Sequence, residues 1–216
     1  MIDDLSDKEQ IELFKKWWKQ YGWSLLIAIL VGLSLGYGWR YWHQSQNNLN
    51  VQASELYMQL ASLEKPTNKQ GQSLMAKLDK KYQATPYPSF AHLLLAKSAV
   101  DNNQLSDALT QLTWVQDYGR VDAFQTLAAL RKARVLLAMK DYEKAHALLS
   151  TIKGKVYKGQ VAMIQGDIYQ AEGNIDQARK AYQSAQQALN DLGATDPLLA
   201  MKLAQLGQAH THSDDA

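Results

Sequence analysis

Five histidines, His43, His92, His146, His210 and His212, are the side chains best suited to proton transfer or metal ligation near neutral pH. None pairs at i, i+4 with a second ligand on a helix, and no His-Glu-x-x-His run places two imidazoles and a carboxylate on one helical face. His210-x-His212 with Asp214 and Asp215 holds weak cation donors, but a short polar tail lacks the ordered outer shell a metal site needs. Cysteine is absent, which excludes disulfides, thiolate metal sites and a thiol nucleophile. No Gly-rich phosphate loop, dinucleotide fingerprint or Gly-x-Ser-x-Gly elbow occurs. The sequence therefore predicts no catalytic residue, no cofactor and no metal, and a chain that is not an enzyme.

With 216 residues there is room for one ordinary domain and an appendage. Hydrophobic residues make up 46% and charged residues 20%, too apolar for a disordered chain. Lys plus Arg exceeds Asp plus Glu by only two, a poor balance for gripping phosphate backbones, so no nucleic-acid partner is predicted. Arg131-Lys132-Ala133-Arg134 and the trio Lys153, Lys155 and Lys158 are local basic clusters that a solvated helix face explains.

The elements that carry these residues fall into two parts. From Gln20 to Trp39 run 20 residues without formal charge, about 30 Å as a helix, the thickness of a bilayer core. Trp17, Trp18, Tyr21 and Trp23 flank it on one side and Tyr37, Trp39, Tyr41 and Trp42 on the other, two aromatic belts at headgroup depth. The acidic start and the lack of an Ala-x-Ala site argue against a cleaved signal peptide. Lys8, Lys15, Lys16 and Lys19 precede the span and only Arg40 follows before Lys65, which predicts a cytoplasmic N-terminus and an extracytoplasmic remainder. Ala28, Gly32 and Gly36 recur every four residues, a face that admits a second helix closely. The division is a tail over 1–19, a transmembrane helix over 20–42, a helical domain over 43–209 and a disordered tail over 210–216.

Beyond the span, helical spacing runs from Leu49 to Leu63 and from Ser73 to Tyr82, and no convincing strand is seen. Then a pattern repeats. From Gly166, Tyr169, Ala178, Tyr182 and Ala185 lie 3, 12, 16 and 19 residues on. From Ala133 the same offsets give Leu136, Ala145, Leu149 and Ile152, and from Ala96 they give Ala99, Ala108, Leu112 and Val115. Origins advance by 37 and 33 residues, near the roughly 34 of a tetratricopeptide repeat. Turns are predicted at Asp101-Asn102-Asn103, Lys140-Asp141 and Gly173-Asn174, and a closing helix at Asp196-Pro197. The fold class is all-α: one N-terminal transmembrane helix followed by a tetratricopeptide-like solenoid. Stacked hairpins expose a groove lined by the first helix of each pair. Lys97, Arg134 and Asp167, one after each origin, are predicted to face it, with Phe90, Leu93, Leu130 and Met163 as apolar lining for a peptide or partner segment.

The acidic N-terminus, the single span, Gly38-Trp39-Arg40-Tyr41-Trp42 and the repeats together resemble the YfgM-type ancillary subunit of the Sec translocon. The likeness continues at Arg131, Ala133-Arg134-Val135, Thr151-Ile152-Lys153-Gly154, Gly166-Asp167, Gly173 and Ala178-Arg179. It implies a single-pass inner-membrane protein of a Gram-negative bacterium, its domain in the periplasm and its span in membrane lipid. It implies partnership with the SecYEG translocon and the periplasmic chaperone PpiD, and assistance to unfolded secreted or outer-membrane proteins as they emerge. It also suggests a link to envelope stress signalling, so the rival reading is a scaffold or regulator with one dedicated partner. No catalytic residues carry over from the family.

Overall fold

The computed structural model describes residues 7–211, and every regular element among them is an α-helix. The predicted cation donors His212, Asp214 and Asp215 lie outside the described residues, as does the end of the predicted tail. Contacts divide the chain into two units, Met1–Val51 and Gln52–Ala216.

Helix α1 spans Asp7–Ala61, about 80 Å. The sequence predicts a span and then a separate helix from Leu49. The structure runs one helix through both, because residues 43–48 are polar but contain neither Pro nor Gly to break it. In the first unit the apolar side chains of α1 are bare around its circumference: Trp23 is 77% exposed, Leu30 63% and Leu35 69%. Among the described residues only 6% of its most apolar window is buried, and the helix is long and apolar enough to cross a membrane. Ala28 is exposed, and a Cβ added at Gly32 or Gly36 would meet nothing within 4 Å.

The second unit opens with the last turns of α1. Ala53 and Leu60 pack there with Leu74, Met75 and Leu78 of α2 (Lys69–Lys81) and with Ala91 and Leu95 of α3 (Tyr87–Asp101). Helix α2 begins four residues earlier than apolar spacing predicts, because the Asn68 side chain accepts a hydrogen bond from Gly71 N at 2.8 Å and caps it. Pro86 and Pro88 do not keep α3 from forming. They sit at its entry and first turn, where no intrahelical N–H is needed.

Three hairpins follow: α3 with α4 (Leu105–Tyr118), α5 (Asp122–Ala138) with α6 (Tyr142–Thr151), and α7 (Lys155–Ala171) with α8 (Ile175–Asn190). Their turns are one structure used three times. Asn103, Lys140 and Gly173, each seven residues past a repeat origin, adopt φ of +57°, +61° and +83°. The next residue donates its N–H back over five positions, Gln104 to Ala99, Asp141 to Leu136 and Asn174 to Tyr169, at 2.7–2.9 Å. This left-handed stop satisfies the orphan carbonyls of the first helix and aims the second back along it.

The small residues let the pairs close. Ala96, Ala108, Ala133, Ala145 and Ala178 are each at most 3% exposed, and Leu112, Leu149 and Tyr182 fill the seams at 0–1%. The clusters overlap from hairpin to hairpin, Leu109 of α4 joining both the first and the second. Helix α9 (Pro197–Thr211) closes the stack, its N-terminus capped by Asp196, which accepts from Leu198 N at 2.9 Å. Leu199, Leu203 and Leu206 cover Ala162, Met163 and Tyr182.

Candidate partner-binding groove

Helices α3 and α5 are the first helices of successive hairpins, and a cavity of about 310 Å³ opens between them. Ala96, Val100, Leu105, Leu112, Val135 and Ala138 form its apolar surface, and Lys97, Asp101, Arg131 and Arg134 its polar rim. Lys97 Nζ donates to Asp101 Oδ2 at 2.7 Å, one turn along α3, so that cation is neutralised within its own helix. Arg131 and Arg134 are exposed and have no hydrogen bond or ion pair among the described residues. The rim therefore carries two unspent guanidiniums over a greasy floor. This suits a polypeptide segment with an apolar side chain and an anionic neighbour.

Of the residues the sequence places in a groove, Lys97 and Arg134 line this cavity. Phe90 lies half-buried in an aromatic chain on the same side of α3, 4.9 Å from Phe124 and 5.8 Å from Tyr87 between ring centroids. Leu93 and Leu130 are core residues at 8% and 1% exposure, and Met163 is buried under α9, so all three offer no surface in this conformation. The position three before each origin is buried in the packing, whereas the position one after lies on the open side in the first two hairpins, at Lys97 and Arg134.

Asp167 lies on the matching face of α7, where α9 covers it. It accepts a hydrogen bond from Tyr182 Oη at 2.6 Å and pairs with Lys202 Nζ. The single Tyr182 hydroxyl proton is shared with Gln170 Oε1, 2.9 Å from Oη, and Lys202 Nζ stands 5.6 Å from the ring centroid. Burial, with help from the Asp167 carboxylate, pushes the phenol far above the ordinary tyrosine range. Gly166 makes this possible, since the ring lies where any side chain there would point.

A second polar cluster went unpredicted. His92, 6% exposed, hydrogen-bonds through Nδ1 to Gln111 Oε1 at 2.6 Å and through Nε2 to Asp79 Oδ1 at 3.2 Å. Its ring stacks on Trp114 at 3.8 Å. The two ring nitrogens are engaged by Gln111 and Asp79, so the imidazole ties α2, α3 and α4 together. The available signal was a histidine inside an apolar helix and the single tryptophan outside the N-terminal stretch. Among the described residues no three His, Cys, Asp or Glu side chains gather as a metal site.

These features define a class, an all-α helical-repeat protein whose lead helix is apolar enough for a bilayer and whose first two hairpins leave a groove open between α3 and α5. The family model for the tetratricopeptide repeat-like domain matches residues 15–208. A protein of Neisseria gonorrhoeae named ancillary SecYEG translocon subunit is 30% identical over 211 residues, covering 95% of this chain and 100% of that one. Proteins of the same name from Haemophilus influenzae and Escherichia coli are each 28% identical, over 95% and 83% of this chain and 100% and 86% of theirs. No solved structure matches. The chain belongs to this family of tetratricopeptide repeat-like ancillary subunits.

Proposed function

We propose that the chain is a membrane-anchored, non-enzymatic protein-binding subunit working beside the SecYEG translocon of a bacterial inner membrane. Its N-terminus faces the cytoplasm and its repeat unit the periplasm, where it holds secreted or outer-membrane proteins as they emerge, together with the chaperone PpiD. The bare apolar circumference of α1 supports a permanent place in lipid. The lysines ahead of the span, against the lone Arg40 behind it, support the orientation. Ala28, Gly32 and Gly36 present an open face on which a translocon helix packs closely. The names of the relatives support the site of action.

The observation that carries the reading is the open α3/α5 groove on an anchored chain. Anchoring beside the channel raises the local concentration of emerging segments, so weak contacts at a shallow groove suffice. Photocrosslinkers placed at Lys97 and Arg134 in intact membranes should capture translocating chains and SecYEG or PpiD, whereas one at buried Leu130 should not. Absence of all these products from functional membranes would overturn the proposal. A single dominant product outside the translocon would favour the dedicated-partner role.

A further inference from the structure

We propose that the α3/α5 groove selects extended protein segments carrying two carboxylates on one side of the strand next to an aliphatic residue, in the pattern aliphatic-x-acidic-x-acidic. This deepens the protein-binding reading above and rests on it. Arg131 and Arg134 stand three apart on α5, which puts their Cβ atoms roughly 5–6 Å apart on one helical face. In an extended chain, residues two apart share a face and rise about 6.6–6.8 Å, so alternate carboxylates meet the two guanidiniums. The next same-side residue then falls over the cavity formed by Ala96, Val100, Val135 and Ala138, whose 310 Å³ accommodates one leucine-sized side chain.

The remaining charges give direction to the fit. On α3, Lys97 and Asp101 are paired at 2.7 Å, so that wall offers a ligand anion no net charge. On α5, Lys132 turns away and donates to Gln116 Oε1 at 3.2 Å. Only the Arg131 and Arg134 edge attracts anions, so the acidic residues lie against α5 and the aliphatic one drops between the helices.

The test uses the full chain in detergent micelles and the fluorescein-labelled, amidated peptide Gly-Leu-Ala-Glu-Ala-Glu-Gly, read by fluorescence anisotropy. Replacing both Glu by Gln should weaken binding at least tenfold, Arg134→Gln should do the same to the Glu peptide, and 0.5 M salt should erase most of the difference. Arg134→Lys should retain part of the affinity, and Ala138→Trp, which fills the cavity, should abolish binding of either peptide. Helix content measured by circular dichroism should be unchanged in all three variants. Equal binding of the Glu and Gln peptides would overturn the proposal, as would a peptide that binds only when its own C-terminal carboxylate is free, or competition by free phosphate at equal charge concentration. Crosslinks from Arg134 to emerging chains that persist alongside equal Glu and Gln binding would sink the acidic rule and leave the groove reading intact. Loss of both would sink both.

Discussion

Gly166→Ala isolates the contact that holds the last hairpin together. A Cβ at this position would lie 2.4 Å from Tyr182 Cδ1 and Cε1 and 3.0 Å from Cγ, against a comfortable separation of about 3.5–4.0 Å. The ring would have to retreat by more than an ångström. It has nowhere to go, because Tyr182 is 0% exposed and its hydroxyl is tied to Asp167 and Gln170. Overpacking of this kind costs about 1–3 kcal/mol, and loosening the shared hydroxyl hydrogen bond adds about 1 kcal/mol. The better helix propensity of alanine returns about 1 kcal/mol. The net is a loss of about 1–3 kcal/mol, or roughly 2–12 °C in the melting temperature of a unit this size. Thermal unfolding of the full chain in micelles, followed by circular dichroism, reads it. The double variant Gly166→Ala with Tyr182→Leu should lose less than the sum of its parts, since the clash is shared. A melting temperature for Gly166→Ala equal to or above that of the parent would refute the packing derived for the α7/α8 seam.

Lys140 sits in a left-handed turn where the third repeat has Gly173, so Lys140→Gly should stabilise by about 0.5–1 kcal/mol and raise the melting temperature by a few degrees. Tyr182→Phe removes a phenol whose proton is held more tightly in the folded chain. Below the unfolded tyrosine pKa near 10 the full stabilisation is present, and it falls as pH rises beyond that value. The stability gap between parent and Tyr182→Phe, measured by urea unfolding, should therefore shrink between pH 9 and 11, and a constant gap would contradict it. Asp196→Ala deletes the cap that accepts from Leu198 N and Leu199 N and should cost about 1 kcal/mol, with faster amide exchange in the first turn of α9 than elsewhere.

The repeat was legible because its signals are local. Small residues at the origin and twelve on, a large residue at sixteen on and a left-handed stop at seven on depend only on the hairpin itself. The N-cap at Asp196 was legible for the same reason. What escaped depends on neighbours. Leu93 and Lys97 are one turn apart on the same helix, and periodicity marks both, but only the packed hairpin decides that one enters the seam and the other the rim. Asp167 shares the register of Lys97 and Arg134, yet α9 and Lys202 close over it, so equivalent positions are not equivalent surfaces. The His92 bonds join residues 13 and 19 positions away, beyond any helical window. The continuity of α1 escaped because the polar run 43–48 resembles a linker in composition while lacking any residue that stops a helix.

In the proposed function α1 anchors the chain and delivers the repeat unit to the far side of the membrane. The chain contains no cysteine, so single cysteines report without background. Lys16→Cys on α1 and Lys158→Cys on α7 both replace exposed residues. Intact cells treated with a small membrane-impermeant maleimide should label Lys158→Cys at once and Lys16→Cys only after the inner membrane is broken. Labelling in the reverse order, or protection of both sites until lysis, would contradict this placement of the repeat unit.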